Sequence, residues 1–184
     1  MIENEFATIR ESDVLKGVHF VHPKSIEDSR GRFSEFFRRD WVPGANELVQ
    51  ANHSVSRAGV LRGMHYHLFQ ADYWYLTSGD AFIALYDNRA TSPSAEKTET
   101  VQVKDGEALG IYIPPGVAHG FYAVSDMSLL YMVDQYFDGT DELGIYYDDP
   151  ALEIEWPTDV EPILSDRDRE LPMLADIAEE NLPL

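Results

Sequence analysis

The sequence predicts an all-β protein, a jelly-roll barrel or sandwich with a few short helices placed mainly towards the C-terminus. Two observations carry this expectation. Roughly ten stretches rich in Val, Ile, Tyr and Phe recur at short spacing, with Gly, Pro, Asp or Asn between many of them. Helical periodicity is confined to two places, so the pattern is that of antiparallel sheets rather than of strands alternating with helices.

In chain order, the strand-like stretches are GVHFVHP (17–23), GRFSEFF (31–37), ELVQANHSVS (47–56), DYWYLTSG (72–79) and AFIALYDNR (81–89). They continue with TETVQV (98–103), LGIYIPP (109–115), HGFYAVS (119–125), SLLYMVDQYF (128–137) and GIYYDD (144–149). The helical stretches are residues 40–48 and the run SDRDRELPMLADIAEENL, where Ser165 is a good N-cap residue.

At 184 residues the chain fits a single domain, 1–184, long enough to bury a core. A hydrophobic content of 44% excludes wholesale disorder. The absence of cysteine excludes disulfides and thiolate metal sites. The opening MIENEFATIRESDVLKG has no apolar stretch of signal-peptide length, and no run approaches a membrane span, so a cytoplasmic protein without membrane contact is expected. The net charge of −19 is spread along the chain, which repels nucleic acid and anionic membranes and serves solubility. Any diphosphate must therefore be held by a local cluster of Arg or His.

Gln50 to His67, QANHSVSRAGVLRGMHYH, is the most informative segment. Gly59 and Gly63 bracket Arg62, and His65 and His67 follow on alternate positions, which in a strand share a face. Further on, IPPGVAHGF puts His119 just after a Pro-Pro-Gly turn. A lone histidine is more often structural than catalytic. Three in two strand-like segments of one small barrel point to a site.

The ordered motifs resemble those of the dTDP-4-dehydrorhamnose 3,5-epimerase family, whose fold is the cupin jelly roll. Its D-x-R-G-x-F-x-E is matched by Asp28, Arg30, Gly31, Phe33 and Glu35. Its Q-x-N-x-S-x-S and G-V-L-R-G-L-H-Y are matched by Gln50, Asn52, Ser54, Ser56 and by Gly59 to Tyr66, with Met64 for Leu. P-x-G-x-A-H-G-F is matched from Pro114 to Phe121; Tyr131 and Tyr136 match a tyrosine-rich stretch, with Phe137 for a second Tyr. Asp149, Pro150, Ile154, Trp156, Pro157, Leu164, Ser165, Arg167 and Asp168 match the closing motifs.

The resemblance implies proton abstraction beside the ketone of a nucleotide-linked 4-keto-6-deoxy sugar, at C3, C5 or both, through an enolate, with no cofactor. It implies His65 as base, Asp168 as its carboxylate partner and Tyr131 as the opposing acid. A carboxylate on the second ring nitrogen fixes the tautomer and stabilises the imidazolium. Arg30 and Arg62 would hold the pyrophosphate, and Phe33, Glu35 and Gln50 the nucleotide, partly from a neighbouring subunit of a homodimer. Asn52 and His119 would line the sugar pocket.

Two departures keep alternatives open. His67 stands where the family usually has Gln, and Asp72 where it has Lys, and a carboxylate beside an enolate is repulsive. An inactive sugar-nucleotide-binding protein is one alternative. The other is a metal-dependent enzyme: Gly59, His65, His67, Asp72 and Gly79, then Pro114, Gly116 and His119, follow the spacing of metal-binding cupins, with Asp for Glu. Its ligands would be His65, His67, Asp72 and His119.

Overall fold

The computed structural model describes residues 1–183. In chain order the strands are β1 (Ile2–Glu3), β2 (Ala7–Glu11), β3 (His19–Pro23), β4 (Ser25–Asp28), β5 (Gly31–Ser34), β6 (Gln50–Ser56) and β7 (Leu61–Tyr66). They continue as β8 (Asp72–Ser78), β9 (Ala81–Asp87), β10 (Thr98–Val103), β11 (Gly110–Ile113), β12 (Val117–Ala123), β13 (Met127–Val133) and β14 (Leu143–Gly144). A seven-stranded sheet runs β1-β2-β3-β11-β8-β13-β6 and a five-stranded sheet runs β10-β9-β12-β7-β14; β4 and β5 form a separate hairpin. All these strand pairs are antiparallel.

The two large sheets enclose one core, as a jelly roll requires. Phe20, Trp74, Ile111 and Leu129 of the first sheet pack with Ile83, Leu85, Val117 and Phe121 of the second. Strand β9, AFIALYD, is buried at every position. Its alternate residues explain why: Ile83 and Leu85 enter the inter-sheet core, while Phe82, Ala84 and Tyr86 face the other way and are covered by Ile145, Leu152, Trp156 and Ile177. A similar cover lies over the seven-stranded sheet, where Trp41, Val42, Phe36 and Phe37 pack on Ile9, Val21 and Tyr73.

Most of the expected strands form, and two helical expectations are corrected. Residues 40–48 make turns, not a helix. Pro43 and the positive φ of Gly44 (81°) are incompatible with a continuing helix, and burying Trp41 against the sheet outweighs local periodicity. After Ser165 only one helical turn forms, α1 (Asp166–Arg169), and Pro172 ends the possibility of extending it. Short 3-10 turns follow at Leu174–Asp176 and Glu179–Asn181. The expected strand at 144–149 shrinks to β14, because Asp149 caps a 3-10 turn at Pro150–Leu152 instead. Strands β1, β2 and β4 lie outside the expected stretches, and β7 is marked only by its alternate histidines.

Candidate active site

The site lies between the two sheets. On the five-stranded wall, β7 and β12 pair with His65 opposite His119. That pairing is unusually close because residue 63 has no side chain. A Cβ on Gly63 would stand 2.6 Å from the Gly120 Cα and 2.8 Å from the His119 carbonyl oxygen, and its φ of +124° favours glycine in any case. On the opposite wall, β8 and β13 pair with Trp74 opposite Tyr131 and Asp72 opposite Val133. A cavity of about 200 Å³ opens between the walls, lined by His65, His67 and His119 on one side and Asp72, Trp74 and Tyr131 on the other.

His65 is tied to the far end of the chain. Its Nε2 donates to Asp168 Oδ1 at 2.6 Å. Asp168 is almost completely buried, and Ser165 serves it twice: its Oγ donates to Oδ2 at 2.8 Å and accepts the Asp168 backbone N–H at 3.1 Å. Burial by itself would raise the Asp168 carboxyl. The His65 hydrogen bond and charge, the Ser165 hydroxyl and Arg167 outweigh it and hold the carboxyl below its usual value. An ionised Asp168 accepting the Nε2 proton leaves the Nδ1 of His65 with a lone pair. The His65 side chain keeps 24% exposure, which gives a ligand in the cavity access to it.

Tyr131 has the opposite character. Burial raises its phenol, Asp72 and Glu142 raise it further, and Arg62 only partly opposes them, so the hydroxyl stays protonated as a donor. Arg62 lies at the same cavity with its Nε donating to Ser56 Oγ at 3.1 Å. Arg167 lines it too and pairs with Glu142 at 2.8 Å.

His67, Asp72 and His119 form a second group within the cavity. Asp72 accepts from Gln70 Nε2 at 2.9 Å and from Trp74 Nε1 at 3.1 Å. His119 Nδ1 donates to the Val117 carbonyl at 3.0 Å, and His67 Nδ1 donates to the Asp141 carbonyl. Burial pushes His119 down to about 4; Asp72 opposes that shift and His67 adds to it. The four-residue metal set drawn from spacing is corrected here. His65 Nε2 is engaged by Asp168, and among the described residues the potential ligand atoms that converge are those of His67, Asp72 and His119.

Of the other expected site residues, Arg62 and His119 reach the cavity, whereas Arg30, Phe33, Glu35, Gln50 and Asn52 do not line it. Arg30 follows β4 at the hairpin tip, 88% exposed at its side chain and paired to Asp28 at 2.5 Å. Phe33 is 63% exposed on the same hairpin, and Glu35 pairs with Arg38. Gln50 donates to Asn52 Oδ1 at 3.0 Å and accepts the Phe137 N–H at 3.2 Å. Trp74, Gln70, Glu142 and Arg167 line the cavity without having been singled out as ligand contacts. Trp74 could have been found, since it sits two residues from Asp72 in a strand and so shares its face.

Known proteins resemble this chain along nearly all of its length. Residues 12–176 match the family described as dTDP-4-dehydrorhamnose 3,5-epimerase. A dTDP-4-dehydrorhamnose 3,5-epimerase of Mycobacterium tuberculosis is 35% identical over 183 residues, covering 94% of this chain and 90% of the relative. A dTDP-4-dehydrorhamnose 3-epimerase of Streptomyces niveus is 34% identical, covering 91% of this chain and 84% of the relative. Among solved structures, a dTDP-6-deoxy-D-glucose-3,5-epimerase of Legionella pneumophila in complex with dTDP-4-keto-L-rhamnose superposes with a TM-score of 0.89 at 32% identity, covering 96% of this chain and 97% of that one.

Proposed function

This chain belongs to the dTDP-4-dehydrorhamnose 3,5-epimerase family, and we propose that it inverts C3, C5 or both of a nucleotide-linked 4-keto-6-deoxy sugar through an enolate. The observation that carries the proposal is the His65–Asp168 pair, 2.6 Å apart with its carboxylate buried, facing a cavity whose other wall holds a protonated Tyr131.

The chemistry follows from that arrangement. The C4 carbonyl acidifies the hydrogens on its two neighbours. His65 takes one through Nδ1 while Asp168 stabilises the resulting imidazolium. The C–H electron pair moves into the enolate. Tyr131, on the opposing sheet, then returns a proton to the other face of the carbon, which inverts it. Arg62 and Arg167 supply the cationic charge at the cavity that a diphosphate needs in a chain of net charge −19. The exposed hairpin bearing Arg30 and Phe33 belongs, in this reading, to the nucleotide site of a second copy in a homodimer.

Solvent deuterium incorporation into dTDP-4-keto-6-deoxyglucose tests the proposal. Deuterium should enter at C3, C5 or both with the natural protein and be lost with His65→Ala. Undiminished exchange in that variant overturns the assignment of His65 as base.

A further inference from the structure

We infer that His67, Asp72 and His119 form a divalent transition-metal site set into the wall of the same cavity, separate from the His65–Asp168 pair. One ligand atom from each lies within 4.8 Å of the others. His67 Nε2 stands 3.8 Å from Asp72 Oδ1, and His119 Nε2 stands 3.9 Å from Asp72 Oδ2. Ligands at about 2.1 Å around a tetrahedral ion stand roughly 3.4 Å apart, so both imidazole–carboxylate distances lie within about half an ångström of that spacing, and the group as a whole, whose atoms lie within 4.8 Å of one another, closes on an ion by at most about 1.4 Å.

The hydrogen bonds point the same way. Each imidazole gives its Nδ1 proton to a backbone carbonyl, His67 to Asp141 and His119 to Val117. In the neutral ring that leaves the lone pair on Nε2, and it is the outer support that metal-bound histidines ordinarily have. With both rings neutral, their Nε2 atoms face the Asp72 carboxylate at 3.8 and 3.9 Å, an arrangement that is repulsive unless a cation, a metal ion or a proton, stands between them. Among the described residues no Lys or Arg pairs with Asp72; its neighbours are the Gln70 amide and the Trp74 indole. All three side chains are buried, with residue exposures of 5%, 3% and 4%, so water does not relieve the repulsion. The backbone supports are themselves held, since the Asp141 carboxylate accepts the N–H groups of Leu68, Phe69 and Gln70 at 2.6, 2.9 and 3.1 Å.

Two imidazoles and one carboxylate suit Zn(II), Mn(II), Fe(II), Co(II) or Ni(II) and leave coordination positions free towards the cavity. The role of the ion there rests on the proposed function. The proton leaving C3 or C5 would go to His65 and its electron pair into the enolate, and an ion held by His67, Asp72 and His119 would supply positive charge for the developing C4 oxyanion. It would supply the positive charge that Asp72 by itself opposes.

The test is direct metal binding by untagged, chelator-treated protein. Titration with Co(II), followed by its visible absorption, and calorimetry with Zn(II) should each give one equivalent per chain. Binding should weaken about tenfold or more in Asp72→Asn and separately in His119→Gln, both still folded by circular dichroism. The same ions should raise the thermal midpoint of the natural protein and not of Asp72→Asn. His65→Ala should lose deuterium exchange yet bind metal as the natural protein does, which separates this inference from the proposed function. Absence of stoichiometric binding, or unchanged binding in both the Asp72 and His119 variants, overturns the inference.

Discussion

Asp168 and His65 stand 103 positions apart in sequence, yet Asp168 Oδ1 accepts a 2.6 Å hydrogen bond from His65 Nε2. The contact is made by one helical turn whose cap, Ser165, also holds the carboxylate. Replacing Asp168 by Asn keeps the shape but presents an amide that can donate a proton to Nε2, which shifts the ring proton to Nδ1 and blocks the base. Asp168→Asn should lower kcat by about 10²–10⁴-fold with a smaller change in KM, measured by steady-state epimerisation.

Tyr131→Phe keeps the ring and deletes the acid. Abstraction by His65 persists, so deuterium should still enter the substrate, while inverted product falls by about 10²-fold. Nuclear magnetic resonance of the sugar after incubation in deuterated water reads both quantities. Equal loss of exchange and inversion would instead place Tyr131 in substrate binding.

Arg62 lines the cavity, and among the described residues its side chain is hydrogen-bonded only to Ser56. Losing a charge-assisted hydrogen bond to phosphate costs about 1.5–3 kcal/mol, so Arg62→Ala should raise KM roughly ten- to a hundredfold. The effect should be largest at low ionic strength and leave kcat nearly unchanged.

Gly63→Ala places a Cβ 2.6 Å from a backbone atom of β12 in a conformation with φ of +124°. Neither neighbour can rotate away, because both are backbone. A loss of about 1–3 kcal/mol is expected, which for a chain of this size lowers the thermal midpoint by several degrees, roughly 2–4 °C per kcal/mol. Exchange activity should fall with it, since the same contact sets His65 opposite His119.

Asp87 gives an acid-stability prediction. Burial raises its carboxyl, but hydrogen bonds from Arg89, Ser92 and Ser94 outweigh this and leave it below its ordinary value. A folded value below the unfolded one stabilises the protein above the unfolded value, near 4, and that stability is lost as pH falls through the folded value. Urea unfolding at a series of pH values should show stability declining below about pH 4. Asp87→Asn should be less stable at neutral pH and show a shallower decline.

Much of the architecture was legible because a strand advertises itself locally. In β8, β9, β12 and β13, branched and aromatic residues bounded by turn formers predicted strands that are present. Local patterns failed where burial elsewhere decided the outcome. Residues 40–48 carry a helical period but are drawn into turns that put Trp41 on the outer face of a sheet. β4 and β5 form an exposed hairpin with little apolar alternation to mark its first strand.

The sequence by itself determined the fold class, the family and the identity of the residues able to take, give or bind protons and phosphate, because ordered motifs and residue chemistry are properties of the chain. Only the tertiary structure decided how those residues are partnered. Spacing put His65, His67, Asp72 and His119 into one possible ligand set; folding drew His65 to Asp168 and left the other three facing one another. The reason is that side-chain partnership depends on which strands lie opposite across a sheet and which tail segment covers them. Those contacts join residues far apart in the chain, where local sequence carries no distance information.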